Sequence, residues 1–237
     1  MPQINAIEVD NLRFAWRREL PEVLHIPQLE VARGERIFIR GASGSGKSTL
    51  LALMAGVNLP TSGEVKILGE TINRLGSAKR DHFRSDHIGF VFQLFNLIPY
   101  LSVLENVTLP CRFSRLRKRK ATESGNSLHD EAMRLLAHLD MAHTDLVHRP
   151  VTELSVGQQQ RVATARALIG APEIIIADEP TSALDSDMRQ AFLRLLFQEC
   201  EETGSTLLFV SHDRQLEPLF KHHIALDEIN QAPERSV

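Results

Sequence analysis

The sequence predicts an α/β fold with three parts: a parallel-stranded core, an antiparallel β lobe near the N-terminus, and an inserted α-helical subdomain. A strand, a glycine-rich loop and a helix follow one another between residues 36 and 55. Two short apolar runs in the last third of the chain are typical of buried parallel strands. The segment before these runs has helical periodicity and no strand pattern, which indicates the helical subdomain.

Short bursts of alternating apolar residues predict the β lobe. Alternation resumes over Val23–Val31, and Glu64–Leu68 is expected to join the same lobe. The first burst consists of Ile7, Val9, Leu12 and Phe14.

The core begins with a predicted strand at Arg36–Arg40, which ends at the loop Gly41–Thr49 and continues as a helix over Leu50–Ala55. The two apolar runs that predict buried strands are Ile174–Ala177 and Thr206–Val210. Residues between them at helical spacing predict the crossover helix of a β-α-β unit. These residues are Phe192, Leu195, Leu196 and Glu199.

The segment from Leu94 to Ala171 differs from the rest because it contains no convincing strand. One amphipathic helix is clear in it, and we interpret the segment as an inserted helical subdomain. The apolar positions of this helix are Leu128, Ala132, Leu135, Leu136 and Leu139.

Composition excludes several classes of protein. The chain has 237 residues, 43% of them hydrophobic, and a net charge of -3, which argues against a general nucleic-acid binder. The apolar stretch Leu50–Val57 is far shorter than the roughly 20 residues that span a bilayer. The first ten residues lack the pattern of a secretion signal. Cys111 and Cys200 are isolated, so we expect a soluble protein in a reduced, cytosolic compartment.

The loop GASGSGKST matches the phosphate-binding pattern G-x-x-x-x-G-K-[ST] and lies between the strand and helix that this pattern requires. It predicts a P-loop NTPase. The glycines allow backbone N–H groups to surround a phosphate, Lys47 adds a positive charge, and Ser48 is placed to ligate Mg²⁺. The predicted nucleotide-binding residues are Gly41, Ser43, Gly44, Ser45, Gly46, Lys47, Ser48 and Thr49.

Two adjacent carboxylates follow the strand IIIA. Asp178 at the strand end is placed to hold Mg²⁺, directly or through water. Glu179 is placed to polarise an attacking water, a role that contributes about 10²- to 10⁴-fold in rate. The alternative is that both residues only cap the turn before Pro180.

The octapeptide LSVGQQQR, Leu154–Arg161, predicts a helix N-terminus. Ser155 followed by Gln158 matches a capping box. The unpaired N–H groups and the positive dipole end of the following helix offer a site where an anion binds. The alternative is a well-capped helix with no ligand.

Together these motifs resemble those of the nucleotide-binding subunits of ATP-binding cassette (ABC) transporters, whose signature is similar to LSVGQQQR placed before the DE strand. The resemblance covers nearly the whole chain. It implies a head-to-tail dimer with a second copy that sandwiches two ATP molecules. Each ATP is held by the glycine loop of one subunit and by the other's signature helix, here through Ser155, Gly157 and Gln158.

Further motifs match the family in order. Gln93 in GFVFQLFNL is similar to the glutamine that senses Mg²⁺ and the γ-phosphate and hinges the helical subdomain. SALD, Ser182–Asp185, resembles the loop that contacts the opposite subunit, through Asp185. His212 in VSHD resembles the switch histidine that contacts the γ-phosphate.

Two further positions compare less simply with the family: the aromatic residue that stacks on adenine, and one glycine of the signature. Trp16 lies where the family places an aromatic residue that stacks on adenine, although Phe14 is an alternative, and alternation puts Leu12, Phe14 and Trp16 on one face. Val156 stands where the family usually has glycine. We expect Val156 to occupy the first helical turn, so that the contact to the partner's ATP is retained or weakened.

The resemblance implies one ABC ATPase domain over residues 1–237, with a RecA-like core and β lobe at 1–93 and 172–237 and the helical subdomain at 94–171. It implies ATP and Mg²⁺ as cofactors and a separate integral membrane permease as partner. The expected location is cytoplasmic, on the inner face of the cell membrane. No nucleic-acid partner is expected.

The segment Asn96–Pro110 is most similar to ATPases of lipoprotein-releasing and macrolide-exporting complexes, whereas DEPTSALD is equally similar to amino-acid importer ATPases. A regulatory ATPase of the cell-division type is a further alternative. A nucleic-acid clamping ATPase is disfavoured because the chain has one cassette and no sustained heptads. The basic run Arg112–Lys120 fits either a solvated face or contact with anionic lipid or a partner beside the membrane.

Overall fold

The computed structural model describes residues 5–233 apart from Ser124, His143, Ala183 and Asp185. The strands are β1 (Ile7–Phe14), β2 (Leu24–Val31), β3 (Arg36–Arg40), β4 (Ser62–Ile67), β5 (Glu70–Thr71), β6 (Ile88–Val91), β7 (Ile174–Asp178), β8 (Thr206–Val210) and β9 (His222–Ala225). The α-helices are α1 (Lys47–Met54), α2 (Ser77–His87), α3 (Val103–Thr108), α4 (Pro110–Phe113), α5 (Arg115–Thr122), α6 (Leu128–His138), α7 (Thr144–Val147), α8 (Val156–Leu168), α9 (Ser186–Thr203) and α10 (Leu226–Ile229).

The elements form two compact units. The first unit runs to Arg84 and resumes at Thr206, and the second spans Ser85–Ser205. No helix in the described part of the chain is both long and apolar enough to cross a membrane.

The first unit contains the predicted β lobe, an antiparallel sheet in the order β2-β1-β4-β5. Ile7 at the start of β1 pairs with Val31 of β2 on one side and with Ile67 of β4 on the other. The β1–β4 register shifts between Asp10 and Arg13, which is typical of a β-bulge. The prediction of an antiparallel lobe is therefore confirmed.

The first unit also contains the parallel strands β8, β3 and β9, in that order. Phe38 on β3 and Phe209 on β8 are fully buried and stack with ring centroids 6.1 Å apart. Helix α1 follows β3 through the glycine loop and starts at Lys47, three residues before the predicted start at Leu50. Strand β9 was not predicted, because two exposed histidines occupy half of its four residues.

The second unit pairs β6 with β7 in parallel and is otherwise mainly helical. The predicted amphipathic helix is α6, which buries Ala132, Leu135 and Leu136. The described residues from Leu94 to Ala171 form no strand, as expected. Strand β6 was not predicted, because Gly89 interrupts its short apolar run.

Candidate functional site

The glycine loop is built by two residues with left-handed backbone. Gly44 has φ 76° and Gly46, the N-cap of α1, has φ 100°, a region that side-chain-bearing residues rarely occupy. A Cβ on Gly46 would lie 3.0 Å from Leu24 Cδ2, so β2 also packs closely against the loop. The loop therefore has the backbone shape that phosphate binding requires.

Two side chains of the loop have donors that suit a phosphate. Lys47 Nζ donates to the carbonyl oxygens of Gly41 at 2.7 Å and Ala42 at 2.8 Å, which holds the ammonium group over the loop. The Oγ atom of Ser45 is buried and makes no hydrogen bond within the described chain. A buried hydroxyl without an acceptor is costly, and a phosphate oxygen would satisfy it. Ser48 and Thr49 follow in the first turn of α1.

His212 follows β8 in the first unit and shares a cavity of about 300 Å³ with the start of the loop. A second cavity of about 540 Å³ lies along Ala42–Ser45 and is bounded by Glu22 and Val23. Asp227 lines both cavities, and nothing in the sequence marked it. His212 and the phosphate loop, predicted from segments far apart in the chain, therefore lie together.

Trp16 and Phe14 differ in exposure. Phe14 is 6% exposed and belongs to the core, whereas Trp16 is 56% exposed and packs edge-on against Phe14 at 5.1 Å. The expectation that alternation places both on one face is wrong, because β1 ends at Phe14 and the chain turns before Trp16. Only Trp16 offers an open ring face for stacking.

The signature octapeptide forms the start of α8 in the second unit. Ser155 is the N-cap: its Oγ accepts from the Gln158 N–H at 3.3 Å, and Gln158 Oε1 accepts from the Ser155 N–H at 2.9 Å. The predicted capping box is therefore confirmed. Val156 is the first helical residue and is 52% exposed. A Cβ on Gly157 would lie 2.9 Å from Met188 Cε, the flexible end of that side chain, which would have to shift to make room.

The two carboxylates lie at the end of a largely buried strand. Asp178 is the last residue of β7, whose other four residues are all buried. Glu179 has φ 48°, a conformation that costs a residue other than glycine about 1–3 kcal/mol. Its carbonyl oxygen accepts from the Ser182 N–H at 3.3 Å. Backbone strain of this kind clusters at functional sites. Asp185, the predicted contact to the opposite subunit, lies outside the described residues.

Gln93 is exposed and lies in a turn directly after β6. The turn is closed by the Phe95 N–H, which donates to the Phe92 carbonyl oxygen at 2.9 Å. Arg166 of α8 donates to the carbonyl oxygens of Phe95 at 2.5 Å and Asn96 at 2.6 Å. Desolvation by burial lowers the pKa of Arg166 to about 10, which leaves it charged at neutral pH. No sequence pattern predicted this contact, because the acceptors are backbone atoms.

The basic run Arg112–Lys120 serves partly structural roles. Arg117 is 3% exposed, and its guanidinium donates to the carbonyl oxygens of Ala167 at 2.7 Å and Ile169 at 2.5 Å. Lys120 Nζ donates to a carboxylate oxygen of Glu173 at 2.8 Å. A solvated face therefore describes only the exposed basic residues of the run, which are Arg112, Arg115, Lys118 and Arg119.

Comparison with known proteins places these features in a family. The model of the ABC transporter family matches residues 24–182. The chain is 44% identical over 218 residues to the uncharacterized ABC transporter ATP-binding protein YbbA of Escherichia coli K12, covering 91% of this chain and 92% of that protein. It is 41% identical over 212 residues to the lipoprotein-releasing system ATP-binding protein LolD of Syntrophotalea carbinolica, covering 89% of each.

A solved structure shows the same fold. The ATP-binding cassette MJ0796, from Methanocaldococcus jannaschii, was solved as a dimer in a post-hydrolysis state bound to ADP and Pi. It matches this chain with a TM-score of 0.79 and 36% identity, covering 98% of this chain and 100% of that one. The predicted P-loop α/β fold is therefore confirmed. The chain belongs to the ABC transporter family and is an ATP-binding cassette ATPase.

Proposed function

We propose that this ATPase dimerises head to tail around two ATP molecules and drives a membrane permease, in export or mechanical work of the lipoprotein-releasing or macrolide type. The observation that carries the proposal is the capped and exposed start of α8, where Ser155 leaves a helix N-terminus without a phosphate loop of its own. The dimeric state of the MJ0796 cassette and the similarity to LolD, an ATP-binding protein of a lipoprotein-releasing system, support it.

Each predicted residue has a role in this proposal. The loop Gly41–Thr49 holds the phosphates, with the Lys47 ammonium group and the Ser45 hydroxyl as donors. Glu179 is the general base that polarises the attacking water, and His212 contacts the γ-phosphate. Trp16 stacks on the adenine. The remaining contacts come from the partner subunit's signature helix and its Asp185.

We propose Mg²⁺ as the metal cofactor. This ion is usually held by one or two protein groups together with phosphate oxygens and water. Ser48, Asp178 and Gln93 are the residues that we propose as the protein's part of such a set. When bound, Mg²⁺ neutralises charge on the phosphates.

The test is Glu179→Gln. Loss of the general base should leave ATP binding intact and reduce hydrolysis at least about 100-fold. With ATP, the variant should then accumulate as a closed dimer in size-exclusion chromatography with light scattering. Glu201→Gln, an exposed site on α9, is the matched control and should behave as wild type. Wild-type turnover of Glu179→Gln would overturn the base assignment.

The proposal of a permease partner draws on three exposed apolar side chains of the second unit. Leu94 and Tyr100 are each 82% exposed and Phe113 is 69% exposed, which leaves all three accessible to a partner. The expected location is cytoplasmic, peripheral on the inner membrane face. Copurification of a four-helix permease with a large periplasmic domain would support export. A substrate-binding protein with a multi-spanning permease would instead show an amino-acid-type importer.

A further inference from the structure

Helix α8 touches the segment that carries Gln93 at two places. Gly89 of β6 packs against the helix backbone so closely that a Cβ there would lie 2.2 Å from the Ala167 carbonyl oxygen. One residue before Ala167, the Arg166 guanidinium donates to the carbonyl oxygens of Phe95 and Asn96. The strand and the turn after it are therefore both attached to the signature helix.

The turn needs this attachment. Phe95 has φ 59° and Asn96 has φ 48°, so two consecutive residues other than glycine adopt left-handed backbone. Such conformations persist only when surrounding contacts stabilise them. Arg166 is 9% exposed, so its hydrogen bonds are largely shielded from water, and bonds from a charged donor are about twice as strong as neutral ones. Arg166 is therefore placed to determine the shape of the turn.

Gln93 lies inside this turn, at the second of the four positions closed by the hydrogen bond from the Phe95 N–H to the Phe92 carbonyl oxygen. We propose that Arg166 is a positioning residue for Gln93, which couples the signature helix to the glutamine turn. The inference rests on the proposed function, in which Gln93 senses Mg²⁺ and the γ-phosphate. In this inference Arg166 acts through Gln93 and not by direct contact with the nucleotide or the metal.

A double-mutant cycle on the ATPase activity of the full chain tests this coupling. Arg166→Met should lower kcat about 10-fold or more, because small displacements of an active-site group are costly. The KM for ATP should change less than about threefold. In a Gln93→Ala background, the same substitution should change kcat less than about twofold. An equal fold-loss of kcat in the wild-type and the Gln93→Ala backgrounds would overturn the inference.

Arg161→Met is the matched control. Arg161 lies on the same helix and donates to the carbonyl oxygens of Leu139 at 3.4 Å and Asp140 at 3.5 Å, away from the glutamine turn. Its effect on kcat should be the same in both backgrounds. If Gln93→Ala alone has wild-type kcat, the role of Gln93 in the proposed function fails. If Gln93→Ala lowers kcat but the effects of the two substitutions are additive, only the positioning role of Arg166 fails.

Arg166→Lys provides a second variant if Arg166→Met does not fold. Lysine keeps the charge but lacks the planar fork that reaches two acceptors. The inference expects Arg166→Lys to lower kcat several-fold and to lose this effect in the Gln93→Ala background. Wild-type kcat in Arg166→Lys would show that two donors to the turn are unnecessary and would overturn the inference.

Discussion

Arg117 on α5 caps the end of α8 at Ile169. Its guanidinium donates to the Ile169 carbonyl oxygen from Nε at 2.8 Å and from Nη2 at 2.5 Å, and Ile169 is the C-cap of the signature helix. The last carbonyls of a helix lack partners within the helix and carry its negative dipole end. A buried cation at this position therefore satisfies both the hydrogen bonds and the dipole.

Arg117→Met should lower the free energy of unfolding by about 2–4 kcal/mol, because it leaves buried carbonyl oxygens without donors. Urea unfolding followed by circular dichroism measures this. Arg115→Met, an exposed arginine of the same helix, should change stability by less than about 0.5 kcal/mol. Similar stability of the two variants would show that the cap contributes little.

Glu173 should make stability depend on acidic pH. Burial raises its pKa, but hydrogen bonds from His87 at 3.0 Å and Lys120 at 2.8 Å outweigh burial and lower the pKa to about 2. The ordinary value is 4.5, so the unfolded chain binds a proton first. The stabilisation is fully present above about pH 4.5 and is lost as the pH falls towards about 2.

The substitution Glu173→Gln removes this pH-dependent stabilisation. At pH 7 the variant should be less stable than wild type by about 2 kcal/mol, after allowance for solvent screening of the partly exposed carboxylate. The difference in unfolding free energy should shrink between about pH 4.5 and 2. A difference that stays constant from pH 7 to 3 would contradict the assigned ion pairs.

Alanine substitutions at Gly46 and Gly44 distinguish the cost of backbone strain from the cost of packing in the phosphate loop. Both glycines have positive φ, so alanine at either position should cost about 1 kcal/mol or more. A Cβ on Gly46 also meets Leu24, whereas a Cβ on Gly44 has no neighbour within 4 Å. Gly46→Ala should therefore destabilise the nucleotide-free protein more than Gly44→Ala in thermal unfolding. The reverse order would contradict the described loop packing.

Trp16 is the chain's one tryptophan, so its fluorescence reports on its own surroundings. If the adenine stacks on it, adding ATP should quench the emission, and Trp16→Ala should weaken ATP binding by about 1 kcal/mol or more. Because Lys47→Ala removes a contact to the phosphates, this variant should need a higher ATP concentration for the same quenching. Unchanged emission at saturating ATP would contradict adenine stacking.

The substitution Val156→Gly tests the proposed contact between the signature helix and the ATP of the partner subunit. As an exposed first-turn residue, Val156 should tolerate glycine with a loss of less than about 1 kcal/mol in unfolding free energy. If its side chain restricts access of phosphate to the Ser155 cap, Val156→Gly in the Glu179→Gln background should form ATP-dependent dimer at lower protein concentration. Weaker dimerisation would show that Val156 itself contributes a favourable contact.

Much of the fold could be predicted because its signals are local. The bounds of β3 and β8 match the predicted Arg36–Arg40 and Thr206–Val210, since a continuous apolar run marks a buried strand. The Ser155 cap was equally visible, because both partners of a capping box lie within four residues. Strands β5, β6 and β9 were missed, because β5 has only two residues, Gly89 interrupts the apolar residues of β6, and two exposed histidines occupy half of β9.

The sequence by itself therefore determined the family, the glycine loop, the capped signature helix and the carboxylates after β7. Tertiary structure alone decided that Phe14 is core while Trp16 is open, that Arg117 caps α8, and that Arg166 binds the Gln93 turn. The acceptors of Arg166 lie 70 and 71 positions away and are backbone oxygens. Every residue has such an oxygen, so no pattern of side chains identifies which one a buried arginine will bind.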